Sequence, residues 1–257
     1  MRRTWTPALF VAVLLAMSAA VAAPVAAAEI KVLTAGAFKP VVVALASAFE
    51  KQTGHKLVID NDTAGGLARR IAGGEAFDVV VVPIGGLEAL AKSGKVVAES
   101  STRLARVAIG VAVKRGAPAP DISTVAAFKQ ALLNARAVAY IDPVAGGSSG
   151  IYLTQLFEQM GITAQIKPKA VLVPGGLVAQ RLVTGEADLA LHQISEILAV
   201  PDAVLVGPIP AEIQNYTVYA GGVGAAARDV PAAQALLAML AGMGTRDVLK
   251  DKGMESP

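Results

Sequence analysis

Short runs of apolar, β-branched residues recur along this chain, separated by stretches with helical spacing, and that alternation leaves few folds open. Ile30–Thr34, Leu57–Asn61 and Phe77–Val82 read as buried strands, with helices over Pro40–Thr53 and Leu67–Ala72 between them. Pro40 suits a first helical turn, where its missing N–H would have no partner in any case. Arg106–Lys114 reads as one longer strand and Ala137–Ile141 as another, followed by a helix over Ile151–Met160 that Gly161 stops. Further strands are expected near Ala170–Val173, Leu189–His192, Val204–Val206 and Thr217–Ala220. Helices are expected over Leu177–Thr184, Pro231–Ala241 and Thr245–Lys250. Strands joined by helices of this length imply an α/β protein with mostly parallel sheets flanked by helices.

The pattern repeats internally. Gly65-Gly66-Leu67-Ala68-Arg69-Arg70-Ile71 leads to Gly74-Glu75-Ala76-Phe77-Asp78 and an apolar strand; Gly175-Gly176-Leu177-Val178-Ala179-Gln180-Arg181-Leu182 leads to Gly185-Glu186-Ala187-Asp188 and another. Convergent turn chemistry is one reading, since Gly and Asp are favoured at such boundaries. The other is a pair of similar lobes, each presenting a glycine-started helix to a shared cleft, as hinge closure requires.

At 257 residues, 54% hydrophobic and 17% charged, the chain has ample material for a core and is too apolar for intrinsic disorder. It contains no cysteine, which excludes disulfide scaffolds, cysteine nucleophiles and thiolate metal sites. The first residues carry a secretory pattern: Met1-Arg2-Arg3, an apolar run over Ala8–Val21, then small residues to Ala28. Residues 1–28 are therefore expected to be a cleaved signal peptide that exports the protein to a periplasm and leaves no membrane anchor. Without Arg2 and Arg3 the balance falls from 23 to 21 Lys+Arg against 20 Asp+Glu, too even to favour nucleic acid.

Three connections from strand to helix are rich in small residues. They are Thr34-Ala35-Gly36-Ala37-Phe38-Lys39-Pro40, Asp62-Thr63-Ala64-Gly65-Gly66 and Asp142-Pro143-Val144-Ala145-Gly146-Gly147-Ser148-Ser149-Gly150. Loops at the carboxyl ends of parallel strands are where α/β proteins bind ligands, and helix starts offer N–H groups to anions. With Lys39, Ser148 and Ser149 beside them, a small-anion pocket is the favoured reading. Gly146–Gly150 matches the G-x-S-x-G elbow of hydrolases, but several residues separate it from the strand ending at Ile141. The triad partners would be Asp188 and His192, about 13 Å apart along one strand and unable to bond. Of the two histidines, His55 reads as a surface residue in a polar turn. His192 ends an apolar strand pointing toward the cleft, either as a hydrogen-bonded strand-end residue or as a base. Two separated histidines make a structural or catalytic metal cation unexpected.

Several segments together resemble the periplasmic molybdate-binding proteins of ABC importers, within the type II solute-binding fold. They are Lys31-Val32-Leu33-Thr34-Ala35-Gly36-Ala37, Leu67-Ala68-Arg69, Asp142-Pro143 followed by Ser149-Gly150-Ile151-Tyr152, and the Gly-Glu-Ala turn before Leu189. The resemblance implies two lobes closing over an oxyanion held by hydroxyls and helix-start N–H groups. Its ligand positions fall on Ala37, Ala64, Ser149, Gln193 and near Gly175, with Thr63 beside the second. Three hydroxyl donors are thereby missing, and Lys39, Ser148, Ser149, His192 and Gln193 suit planar carboxylates instead.

The expected lobes are 29–108 plus 221–257 and 109–220, with crossings near Val107–Val113 and Thr217–Gly222. The expected ligand residues are Gly36, Ala37, Lys39, Thr63, Ala64, Gly147, Ser148, Ser149, Gly175, His192 and Gln193. The favoured function is capture of a small anion, by a monomer without cofactor, for the permease of an ABC importer. The alternative is a cofactor-independent isomerase of an unsaturated polycarboxylate, of the periplasmic aconitate isomerase type. There His192 would move the proton and Lys39 would hold a carboxylate.

Overall fold

The computed structural model describes residues 27–257. The expected signal peptide thus lies outside the described residues apart from its last two positions. The chain runs β1 (Glu29–Ala35), α1 (Lys39–Thr53), β2 (Lys56–Asp62), α2 (Ala64–Ala72), β3 (Val79–Pro83), α3 (Ile84–Lys92), β4 (Thr102–Val107) and β5 (Ile109–Lys114). It continues α4 (Val125–Asn134), β6 (Val138–Ile141), α5 (Ser148–Gln159), α6 (Thr163–Ile166), β7 (Ala170–Val173), α7 (Gln180–Val183) and β8 (Leu189–Gln193). Then come α8 (Ile194–Ile197), β9 (Ala203–Pro208), β10 (Thr217–Val223), α9 (Val230–Ala241) and α10 (Arg246–Asp251).

The strands form two five-stranded sheets, in the orders β2-β1-β3-β10-β4 and β7-β6-β8-β5-β9. Both are mixed. β1 pairs in parallel with β2 and β3 while β10 runs antiparallel to β3 and β4. In the second sheet β6 is parallel to β7 and β8, and β5 is antiparallel to β8 and β9. Each sheet is packed on both faces: Val41, Phe49, Leu236 and Leu240 cover one side of the first, Leu67, Ile71 and Leu87 the other. In the second sheet Phe128, Leu153 and Phe157 lie on one side, Val178 and Leu182 on the other. Burial on both faces explains why Val79–Val82 is continuously apolar rather than alternating.

The internal repeat corresponds to a shared device. The Asp78 carboxylate accepts the backbone N–H of Lys31 at 2.7 Å, pinning the start of β1. Asp188 accepts the N–H of Arg136 at 2.8 Å just ahead of β6. In both sheets the aspartate that precedes one strand fixes the start of its parallel neighbour. On the helix of the first copy, Arg69 is exposed, whereas Arg70 is bound to Asp60 and Glu75 and braces β2 against the Gly-Glu-Ala turn.

Two expectations are corrected. The single strand over Arg106–Lys114 is two strands, broken at Ala108, with β4 in the first sheet and β5 in the second. An unbroken apolar run conceals the break, because both halves are buried. His55 is not a surface residue: it is 6% exposed, stacks on Phe49, and its Nδ1 accepts the Ala28 N–H at 3.2 Å. We propose that the chain crosses between lobes at Ala108 and again within 209–216, ahead of β10. There the Gln214 side chain both accepts the N–H and donates to the carbonyl of Ile109, at 2.9 and 3.0 Å.

Candidate functional site

The carboxyl ends of β1, β2, β6 and β8 converge, and the loops that follow them enclose a cavity of about 40 Å³. Gly36, Ala37, Thr63, Ala64, Gly147, Ser148, Ser149, His192 and Gln193 all line it. Lys39 does not. It stands in an adjoining, more open cavity of about 560 Å³, where its Nζ donates to Asn61 Oδ1 at 2.7 Å. Gly175 lines neither, and its neighbour Gly176 lines both. A larger apolar hollow of about 790 Å³ lies at the opposite ends of β5 and β8, around Val113, Leu189 and Asp188. That is the wrong end of the sheet for ligand-binding loops.

Each sequence residue in the inner cavity has a local reason to be there. Gly147 opens α5 with no side chain to cap it, which leaves the first-turn N–H groups open to a ligand. Positions 147 and 150 must be glycine because a Cβ at either would collide with Ile141. Thr63, by contrast, is fully engaged. Its hydroxyl accepts the Gly66 N–H at 2.9 Å, capping α2, and donates to the Ala145 carbonyl at 2.6 Å. Beside it the Gly65 N–H donates to the Gly146 carbonyl at 3.0 Å. These bonds join the Asp62–Gly66 loop of the first sheet to the Asp142–Gly150 loop of the second, so the cleft is shut over the cavity.

The structure also brings in residues that the sequence did not single out: Glu196, Tyr219, Asn61, Asp62 and, behind them, Thr217. Gln193 Nε2 donates to Thr217 Oγ1 at 2.9 Å and Ser148 Oγ at 3.2 Å, tying β8, β10 and α5 together. Glu196 sits in the single turn of α8, one turn past His192. Its Oε2 lies 3.3 Å from His192 Nε2, and both side chains are buried. Gly36 makes room for it, since a Cβ there would overlap Glu196 Oε1. The Glu196 position reads in sequence as an ordinary first-turn acid, favoured by the helix dipole, which is why it draws no notice. Tyr219 stands two residues after Thr217 on β10, so the strand's period of two turns both side chains to the same face.

Burial governs the electrostatics. Loss of solvent holds the His192 imidazole far below its usual range and raises the Glu196 carboxyl, because neither charged form is hydrated. Burial and the nearby Glu196 also raise the Tyr219 phenol, so it remains a donor. No Lys or Arg lines the inner cavity among the described residues. An anion there would be held by N–H groups, hydroxyls and an uncharged Glu196.

At 3.3 Å, His192 Nε2 and Glu196 Oε2 are close enough to share a proton. With one shared proton, whether on Oε2 or Nε2, the ring's Nδ1 carries hydrogen. Once that proton leaves, Nε2–H faces a carboxylate and Nδ1 becomes a bare lone pair. His192 Nδ1 has no hydrogen-bond partner, nor has Gln193 Oε1. A buried ring nitrogen without a partner is costly to the fold.

This pairing predicts a stability profile. The reference values are 4.5 for Glu and 6.5 for His. Between about 4.5 and 6.5 the unfolded chain binds one proton across the two groups and so does the folded pair, so the pair adds no slope. Above that window the unfolded chain binds none while the folded pair retains its own, so stability falls as pH rises toward about 8. Below it the unfolded chain binds two, so stability falls again. Glu196→Gln should remove the alkaline decline, read as Tm against pH from 5 to about 9.

These two similar α/β lobes, closed over a small cavity at their strand ends, form the two-lobed fold of the solute-binding proteins. The match to the family model for bacterial extracellular solute-binding protein spans residues 30–255, and the chain belongs to that family. Among curated proteins, aconitate isomerase from a Pseudomonas species is 36% identical over 97% of this chain and 96% of its own length. Molybdate-binding protein ModA from Azotobacter vinelandii is 29% identical over 88% of this chain and 90% of its own. In fold, the periplasmic molybdate-binding protein of Azotobacter vinelandii superposes with a TM-score of 0.74 at 21% identity, over 89% of this chain and all of that one. The sulfate-binding protein SubI of Mycobacterium tuberculosis does so with 0.74 at 15% identity, over 89% and 87%. No helix among the described residues is long and apolar enough to cross a membrane.

Proposed function

We propose that the protein is a periplasmic, cofactor-independent isomerase that moves a proton along an unsaturated polycarboxylate of the aconitate type. The observation that carries this reading is the buried His192–Glu196 pair, 3.3 Å apart among the residues that line the cavity. In its deprotonated form the pair accepts a proton on the His192 ring from the methylene carbon beside a carboxylate. The electron pair left on carbon spreads through the double bond into the far carboxylate. The same ring returns the proton to the former vinyl carbon, so the double bond shifts by one position with no change in oxidation state. Glu196 balances the imidazolium while it lasts. Tyr219, the hydroxyls of Ser148 and Ser149, and the open N–H groups of α5 supply donors to the carboxylate on which charge develops. The 36% identity to an aconitate isomerase along nearly the whole chain supports the same reading.

Capture of a molybdate-like oxyanion or small carboxylate for the permease of an ABC importer is the second reading. It is favoured by the smallness of the shut inner cavity and by the family itself. Thermal-shift titration of the chain from residue 29 separates the two. Tricarballylate and the two aconitates should raise Tm more than molybdate or sulfate at equal concentration. Selective stabilisation by molybdate would return the protein to oxyanion capture.

A further inference from the structure

The inner cavity, about 40 Å³, is small for a six-carbon tricarboxylate, so part of such a ligand would extend beyond it. The adjoining cavity of about 560 Å³ shares Gly36, Asn61, Gly176 and Glu196 with the inner one. Two lysines line it, Lys39 from the first turn of α1 and Lys252 from the end of α10, and Glu196 is its sole acid. Lys252 is held there by close packing. Gly253 lies against α8, where a Cβ would stand 2.5 Å from Ile194 Cγ2 and 2.8 Å from Leu198 Cδ1. Its backbone has φ +67°, a conformation that glycine adopts freely. The residue after Lys252 is thus pressed onto the short helix that carries Glu196, and no ion-pair partner engages Lys252 among the described residues.

We propose that the outer cavity is a carboxylate subsite in which Lys252 and Lys39 clamp the distal carboxylates of a polycarboxylate whose inner end reaches His192. The proposal rests on the polycarboxylate reading above. It makes the number of ligand carboxylates decide affinity. It also gives the C-terminal segment a role in recognition.

The probe is tricarballylate, saturated and unable to isomerise, measured by calorimetry at neutral pH beside maleate, a four-carbon diacid too short to span both cavities. Lys252→Met, which keeps the aliphatic stem, should weaken tricarballylate by about tenfold and leave maleate within twofold, and Lys252→Arg should restore most of the loss. Equal affinities in Lys252→Met and the parent, or no tricarballylate binding at all, would overturn the clamp. Because this readout involves no turnover, a protein that binds tricarballylate through Lys252 but isomerises nothing would sink the catalytic reading alone. Turnover of trans-aconitate with an unchanged KM in Lys252→Met would sink the clamp alone.

Discussion

His192→Asn is expected to lower kcat for trans-aconitate by about 10²–10⁴-fold, the range typical for loss of a positioned general base, while leaving tricarballylate binding largely intact. Asparagine keeps a polar group against Glu196 but offers no nitrogen that can gain and lose a proton near neutrality. Glu196→Gln should be nearly as damaging for a different reason. Its neutral amide cannot balance the imidazolium that forms when the ring takes the substrate proton. The parent's rate should rise as pH climbs through the pair's deprotonation near 8, whereas affinity for the anion should fall over the same interval. Opposite slopes for rate and affinity distinguish a base at the ligand from a residue that only shapes the pocket. A His192→Asn protein that retains full activity would remove the imidazole from the chemistry.

The second large effect is expected at Gly146. Its backbone has φ +81°, and a Cβ added there would stand 2.6 Å from Gly65 Cα across the cleft. Ala in that conformation costs about 1–2 kcal/mol wherever the lobes stand, but the collision with Gly65 exists only when they are shut. Gly146→Ala should therefore reduce Tm modestly and reduce ligand affinity by about 10–100-fold, because binding energy must now force the loops together. Small-angle scattering with saturating tricarballylate should show a larger radius of gyration than the parent. Thr63→Val, which removes the hydroxyl bonded to the Ala145 carbonyl, should act in the same direction with smaller effect. Unchanged affinity in Gly146→Ala would mean that the Gly65–Gly146 contact plays no part in closure.

The two-lobed α/β architecture was legible because parallel strands buried on both faces stand out as apolar runs such as Val79–Val82, and because Asp78 and Asp188 repeat one job in two places. The break at Ala108 was not, since continuity of hydrophobicity says nothing about which sheet a strand joins. The loops of the site were readable from their small residues, and nine of the eleven expected positions meet in the inner cavity. Lys39 faces outward because the 3-10 turn at Gly36–Phe38 places it at the rim, and Gly175 yields its place to Gly176. Glu196 escaped notice because its meaning depends on burial: an acid in a helix's first turn is unremarkable until it lies without solvent against an imidazole. His55 was misjudged for the converse reason, as its polar neighbours concealed a packing role beside Phe49.

The central claim is that the His192–Glu196 pair moves a proton on a bound polycarboxylate. A proton NMR time course of trans-aconitate with the purified chain from residue 29, without added metal or cofactor, tests it most directly. The predicted result is growth of the cis-aconitate vinyl signal to a constant ratio at a rate proportional to protein concentration, absent with His192→Asn. An unchanged trans-aconitate spectrum from a protein that binds tricarballylate would contradict it and leave a binding protein.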